Sequence, residues 1–354
     1  MRFANRGFGA YSDHESFLST ARSTQKKALQ GTDPLYSDSA KEWTGFKYTG
    51  SLKKGRVSPL KRITDGILRP PYVSLGPAYL RIKEKKDALV QSTPAAISIK
   101  SKEEIENMRE AGRLARKILD AVSQSIKVGV STDMLDKLAH EQCMRLNIYP
   151  SPLLYKGFPK SICTSINEVL CHGIPDSTVL QDGDIINIDI TCYYKGVHAD
   201  CSETYLVGNV DEKGKRLVKT TFDAWMNALQ LCKPGEKFLK IGECIEAYVT
   251  SRGYTSLDGF CGHGIGRNFH EEPHIFHVKN TYEGKMLPGM AFTIEPVICE
   301  GSAGVHAWPD GWTITTKDGK RSAQFEHTIL ITLDGYEILT SKFSESPSYF
   351  WENT

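Results

Sequence analysis

The stretch Asp184-Ile185-Ile186-Asn187-Ile188-Asp189-Ile190-Thr191-Cys192-Tyr193-Tyr194-Lys195-Gly196-Val197-His198-Ala199-Asp200 carries the fold's clearest signal. Ile186, Ile188 and Ile190 alternate with Asn187, Asp189 and Thr191, the pattern of a strand whose two faces meet different surroundings. Lys195-Gly196 suits a two-residue turn, because glycine accepts the positive φ that such turns need. That turn sets Tyr194 against Val197 and, counting back, Thr191 against Asp200. Asp189 then lies diagonal to Asp200 on one face, with Cβ atoms within roughly 8 Å. Two carboxylates held so close repel each other unless a cation lies between them. A hairpin with both aspartates on a solvated face would read the same way, and a one-residue bulge would break the count. The pair alone leaves these readings open.

Outward from the hairpin, Ser101-x-x-Glu104 forms a capping box. Ile105, Met108, Leu114, Ile118, Leu119 and Val122 follow it at near-helical spacing. Further helices are predicted at about 132–146, 215–231 and 238–252, the last stopped by Gly253. Strand-like runs are Ile185–Tyr194, Val197–Val207, Ala291–Val297 and Gln324–Thr332. Helices and mostly antiparallel strands in one run predict a single α+β domain over 101–342, followed by a C-terminal tail over 343–354.

The part before that domain is different. Residues 1–100 carry 18 Lys/Arg against 8 Asp/Glu, although the whole chain of 354 residues has a net charge of only +2. Residues 1–45 lack apolar periodicity and predict a disordered tail or a targeting segment. Residues 46–100, with Lys53-Lys54-Gly55-Arg56 and Pro70-Pro71, read as an extended basic strap or solvated linker rather than a packed unit. No apolar run reaches the ~18 residues of a membrane span. All nine cysteines lie between Cys143 and Cys299 with no CxxC pair, which argues against a zinc knuckle and for small buried hydrophobes in a reducing compartment.

Three further groups join the two aspartates. His263 stands between glycines in Gly262-His263-Gly264, which would let backbone approach whatever the imidazole binds. Glu295 and Glu326 each interrupt an otherwise apolar strand, and a buried Glu is rare unless paired or coordinating. Four carboxylates would neutralise two divalent ions. Oxygen-rich donors with one imidazole suit Mn, Fe(II), Co or Zn rather than a thiolate-bound metal.

At this point the motifs resemble a known family. Tyr149-Pro150-Ser151-Pro152, Phe158-Pro159-Lys160-Ser161, Ser165-Ile166-Asn167-Glu168-Val169, Cys171-His172-Gly173-Ile174-Pro175-Asp176, Gly262-His263-Gly264-Ile265-Gly266, His270-Glu271-Glu272-Pro273 and Ser322-Ala323-Gln324-Phe325-Glu326-His327-Thr328 occur in the order and spacing of type I methionine aminopeptidases. The strap around Gly55-Arg56-Val57-Ser58-Pro59 resembles the linker of organellar-type members. The resemblance implies the pita-bread fold, two pseudo-symmetric halves around a curved antiparallel sheet. It implies two divalent ions, with Asp189 on the first, Asp200 and Glu326 bridging, and His263 and Glu295 on the second. His172, His270 and Glu295 take the catalytic positions, His172 and His270 also contacting substrate, and Tyr155, Phe158, Cys163, Phe269 and Trp312 wall the methionine slot. One departure is His198-Ala199-Asp200, where the family commonly has glycine before the aspartate.

The implied reaction is metal-dependent hydrolytic removal of the initiator methionine from nascent polypeptides whose second residue is small. Implied partners are nascent N-termini, with possible ribosome docking, no membrane and no specific nucleic acid, for a monomer in a mitochondrion or other organelle, or alternatively in the cytoplasm. Three rival readings fit less well. Xaa-Pro-cleaving relatives bring a large N-terminal domain. Type II members insert a helical subdomain, whereas only 30 residues separate Glu295 from Glu326. A non-catalytic, ribosome- or RNA-binding member would lose ligands that are all present here.

Overall fold

The computed structural model describes residues 43–75 and 97–352. Of the tail expected over 1–45, all but residues 43–45 lies outside the described residues, as do the segment 76–96 and the last two residues. A one-turn helix α1 (Pro71–Ser74) precedes α2 (Lys102–Ser123) and α3 (Thr132–Arg145). Strands β1 (Tyr149–Pro150), β2 (Cys163–Ile166), β3 (Val169–Cys171), β4 (Ile185–Tyr194) and β5 (Val197–Leu206) lead to α4 (Glu212–Leu229) and α5 (Leu239–Thr250). The chain continues through β6 (Thr255–Ser256), β7 (Cys261–Gly264), β8 (Glu271–Phe276), β9 (Ala291–Ile294) and β10 (Val297–Cys299). It finishes with β11 (Val305–Ala307), β12 (Ile314–Thr316), β13 (Ser322–Gln324), β14 (Glu326–Ile331) and β15 (Tyr336–Ile338).

Local chemistry sets the helix starts. Both arms of the capping box are made: Ser101 N–H donates to Glu104 Oε2 at 2.8 Å, and Glu104 N–H to Ser101 Oγ at 3.2 Å. Helix α4 begins three residues before the expected 215, because Asp211 accepts the Gly214 N–H at 2.8 Å and caps it.

The large sheet runs β1-β4-β5-β14-β9-β7-β8, with β2 beside β4 and β15 beside β14, and all its pairings are antiparallel. Helices α2 and α3 lay Leu114, Ile118, Leu119, Leu135 and Ala139 against Ile186, Ile188 and Ile190 of β4. In the second half, α4 and α5 lay Leu217, Val218, Trp225, Ile241 and Ile245 against Phe292, Ile294 and Ile329. Each half is thus a helix pair covering one side of the same sheet, and the opposite face is left for the polar residues.

The β4–β5 hairpin holds the expected register without a bulge, from Tyr194↔Val197 through Thr191↔Asp200 to Ile185↔Leu206. Lys195 and Gly196 both take positive φ, 44° and 89°. Ala199 costs the register nothing: its methyl is fully buried in a cluster with Met108, Ala111 and Ile265.

The strands expected over 291–297 and 324–332 are each broken. Ile294 pairs with His327 and Val297 with Gln324, so one register continues across the gap and sets Glu295 opposite Glu326. The ladder is interrupted because Pro296 has no N–H and the Glu295 N–H is diverted to His277 Nε2 at 3.1 Å. The glycines beside His263 also serve another purpose than expected. A Cβ on Gly262 would overlap the Thr293 carbonyl, and one on Gly264 the Glu272 carbonyl, so they let neighbouring strands close on β7. Gly262→Ala should therefore lower stability by about 1–3 kcal/mol, the usual cost of overpacking. Denaturant unfolding with an unchanged midpoint would refute that close approach.

The strap is extended but docked rather than solvated. Leu52 N–H donates to Glu168 Oε1 at 2.7 Å, Gly55 N–H to Asp176 Oδ2 at 2.5 Å, and Lys61 Nζ to Asp136 Oδ2 at 2.5 Å. Ile63 and Ile67 are buried with Tyr149, Leu153 and Tyr193, and Tyr72 is buried as well. Acidic groups on the domain receive the basic, donor-rich strap, which composition could not reveal. At the other end, Tyr349, Phe350 and Trp351 pack on the core of the second half. The cysteines are free thiols, seven of them buried.

Candidate metal centre

Antiparallel partners point to the same side of a sheet, so the strand register can be read as rows of side chains. Cys163 pairs with Asp189, Asp189 with Ser202, and Ser202 with Glu326. Glu295 follows opposite Glu326. In the neighbouring row Thr191 pairs with Asp200, and Thr328 pairs with Thr293. Thr328 Oγ1 joins the two pairs by donating to the Asp200 carbonyl at 2.9 Å, and the His263 N–H donates to Thr293 Oγ1 at 3.0 Å. Two adjacent rows across the sheet thus gather all five expected ligands.

The ligand atoms converge. Asp200, His263 and Glu326 offer donor atoms within 4.8 Å of one another. His263 Nε2 lies 4.0 Å from Asp200 Oδ2 and 3.6 Å from Glu295 Oε1. Burial pushes the carboxyl of Asp189 up to about 6 and that of Glu295 up to about 8, the charge of Asp189 adding to the latter. Asp200 and Glu326 lie well above the carboxylate range, first through burial and then through neighbouring carboxylates. Burial also lowers His263 to about 4, leaving a neutral imidazole with a lone pair to give. Asp189 Oδ1 is buried with no hydrogen-bond partner. Four crowded carboxyls, a neutral imidazole and an orphaned carboxylate oxygen are what a divalent cation site needs, and the residues fit such ions.

Hydroxyls and amides orient these ligands. Thr191 Oγ1 donates to Asp200 Oδ1 at 2.8 Å, Thr293 Oγ1 donates to Glu295 Oε1 at 2.7 Å, and Gln324 Nε2 reaches Glu295 Oε2 at 3.4 Å. The sequence reading missed these residues, although Thr191 and Thr293 stand two positions from a ligand on the same alternating face. It also missed His277, whose acceptance of the Glu295 N–H has no local sequence signal.

Beside the carboxylates lies a cleft of rings. Phe158 meets Trp312 edge-on at 5.1 Å, His172 meets Trp312 at 5.8 Å, and Cys163 packs with Phe158 and Ile174. Across from them Tyr155 lies 4.8 Å from Phe269 and 5.2 Å from His270. His270 Nδ1 is 3.0 Å from the Tyr155 hydroxyl, and its ring is 4.1 Å from that of His263. The structure therefore sets the expected pocket residues in two ring groups, one meeting Asp189 through Cys163 and the other meeting His263 through Phe269 and His270. His172 is pushed down to about 4 by burial. His270 is exposed to solvent on one side, and desolvation on the other, then the neighbouring His263, holds it well below the usual imidazole value. Both are neutral hydrogen-bonding groups at pH 7.

Residues 106–333 match the model for Metallopeptidase family M24. The chain is 45% identical over 308 residues to methionine aminopeptidase 1 of Dictyostelium discoideum, spanning 86% of this chain and 82% of that protein. It is 47% identical over 284 residues to the mitochondrial methionine aminopeptidase 1D of Danio rerio, spanning 80% of each. The crystal structure of methionine aminopeptidase from Rickettsia prowazekii superposes with a TM-score of 0.68 at 44% identity, covering 69% of this chain and 100% of that one.

Proposed function

Since the chain belongs to Metallopeptidase family M24, as a methionine aminopeptidase of type I with the pita-bread fold, we propose that Asp189, Asp200, His263, Glu295 and Glu326 hold two divalent cations that serve its reaction. The enzyme hydrolyses the N-terminal methionine from nascent polypeptides, and it is a divalent-metal peptidase. One observation carries the site assignment: the buried oxygen of Asp189 lacks a partner beside three other crowded carboxyls. Charge balance favours two ions, and Mn, Fe(II), Co and Zn all suit the donor set.

When bound, such ions supply Lewis acidity and lower the pKa of water to near neutrality. Glu295, fixed by Thr293 and Gln324, takes the proton from the attacking water and delivers it to the leaving amine. His270 donates a hydrogen bond to the developing oxyanion. Because the ring is neutral, donation from Nε2 requires Nδ1 to accept, and the Tyr155 hydroxyl is placed to donate there. His172 hydrogen-bonds the peptide just past the cleaved bond. The substrate's α-amine sits at the carboxylate-rich centre, which confines cleavage to a terminus.

Phe158, Cys163 and Trp312, with Tyr155 and Phe269, receive the methionine side chain, where thioether–aromatic contact is favourable. A cramped neighbouring site would select a small second residue. Cys163→Leu should fill the slot and raise KM for methionyl peptides by roughly tenfold or more. Steady-state kinetics with unchanged metal content checks this, and an unaltered KM would remove Cys163 from the slot.

We take residues 101–342 as the catalytic domain of a monomer and 46–75 as its docked strap. The excess of basic residues before the domain, 18 Lys/Arg against 8 Asp/Glu over 1–100, favours an organelle and leaves room for ribosome docking. In a compartment that starts with formyl-methionine, deformylation must come first, since the site requires a free amine. The deciding experiment offers Met-Gly-Met-Met and a matched Xaa-Pro peptide to metal-stripped protein, with and without Mn(II) or Co(II). Methionine released only from the first, only with metal, is expected. Cleavage of the Xaa-Pro peptide instead would overturn the specificity, and turnover without metal would overturn the centre.

A further inference from the structure

One buried aromatic beside the cleft comes from outside the family-matched region, residues 106–333. Tyr72, in α1 of the strap, is buried and stands edge-on to the Tyr155 ring at 5.0 Å. Its hydroxyl donates to the Ser151 carbonyl at 2.5 Å. Ser151 Oγ in turn lies 2.8 Å from His198 Nδ1, and the His198 ring stacks on Phe269 at 5.4 Å. Tyr155 and its neighbour Lys156 are the residues most in need of such backing. They form a single 3-10 turn entered through Leu154 at φ 65°, and Lys156 itself has φ 47°. A short turn with two non-glycine residues in the left-handed region does not hold an aromatic side chain rigidly on its own.

We propose that Tyr72 is a positioning residue for catalysis: its ring holds the Tyr155 phenol where the hydroxyl can fix the donor tautomer of His270. The strap is then part of the active site's support rather than a tether. Buried Pro70 and half-buried Pro71 at the start of α1 stiffen the turn that presents Tyr72. Lys61 on Asp136 and the buried Lys160 on Ser58 anchor the strap to α3 and to the rim that follows Phe158. The inference rests on the proposed role of His270, and it needs Tyr155 as the intermediary.

The test is a double-mutant cycle in the full-length, metal-loaded enzyme. Tyr72→Leu should lower kcat about tenfold with metal content unchanged, the low end of the loss when a partner orienting an active-site imidazole is removed. Because Tyr155 also walls the methionine slot, KM should rise as well, but by less than kcat falls. Tyr72→Phe, which keeps the ring, should recover most of that loss. In a Tyr155→Phe background, which has no hydroxyl to place, Tyr72→Leu should cost less than about twofold, because the two residues act as one unit. Additive losses, or a Tyr72→Leu enzyme with full kcat, would overturn the proposal. If Tyr72→Leu unfolds, the Phe variant and the cycle built with Tyr72→Met decide. Should His270→Ala itself retain full kcat, the reading of His270 fails instead, and the two failures are told apart.

Discussion

Asp189→Asn is expected to abolish methionine release while leaving the chain folded. Asn is nearly isosteric, and β4 keeps its register with β2 and β5 whichever side chain stands at 189. The change removes a negative charge and a buried oxygen that has no protein partner to lose. Turnover should fall by at least about 10²–10³-fold, the range for deleting one preorganised group aimed at a reacting centre. Bound metal should fall with it. Stability should not follow. In the metal-free protein the Asp189 carboxyl is already pushed up to about 6 by burial, so a neutral amide relieves a cost rather than adding one. Metal-free variant and metal-free parent compared by thermal melting should therefore differ little, with the variant no lower. Full turnover would take Asp189 out of the ligand set, and loss of the folded state would give it a structural role instead.

His270→Ala should lower kcat by roughly 10²–10³-fold, the scale of an oxyanion donor in an enclosed site. The effect should appear in kcat and kcat/KM together, since the hydrogen bond strengthens as charge develops and contributes little to ground-state binding. The metal complement should be intact, because His270 lies outside the Asp200, His263 and Glu326 cluster. A change confined to KM would make it a binding residue. Its depressed pKa adds a constraint on pH behaviour. With the neutral form favoured, first by desolvation and then by the neighbouring His263, any acid limb due to His270 should fall below the usual imidazole range, and a limb at about pH 6 to 7 that His270→Ala removes would overturn this.

Legibility varied along the chain with how local the determining interaction is. The hairpin was readable to the residue, because a two-residue turn and a period of two leave a single register consistent with Thr191 opposite Asp200. The capping box at Ser101 was readable for the same reason. The breaks at Glu295-Pro296 and Phe325 were not. Apolar composition runs through them unchanged, and the interruption depends on His277, 18 positions away, taking the Glu295 N–H. The purpose of Gly262 was misread because it is set by the carbonyl of Thr293 on another strand.

The strap marks the same boundary most sharply. Its prolines, glycines and basic side chains foretell an extended segment, since they cannot sustain a helix or a core of their own. Whether it floats or docks depends on Asp133 and Asp136 of α3 and on Glu168 and Asp176, which flank β3. Residue types and their order along 354 positions were enough to name five candidate ligands and a family of hydrolases, because four of those candidates follow strand periodicity that a short stretch encodes. The convergence of their donor atoms, the Tyr155 hydroxyl beside His270 Nδ1 and the placing of Tyr72 behind Tyr155 came with the folded chain alone. Each is a distance between residues far apart in sequence, and such distances exist only once both halves have closed on one sheet.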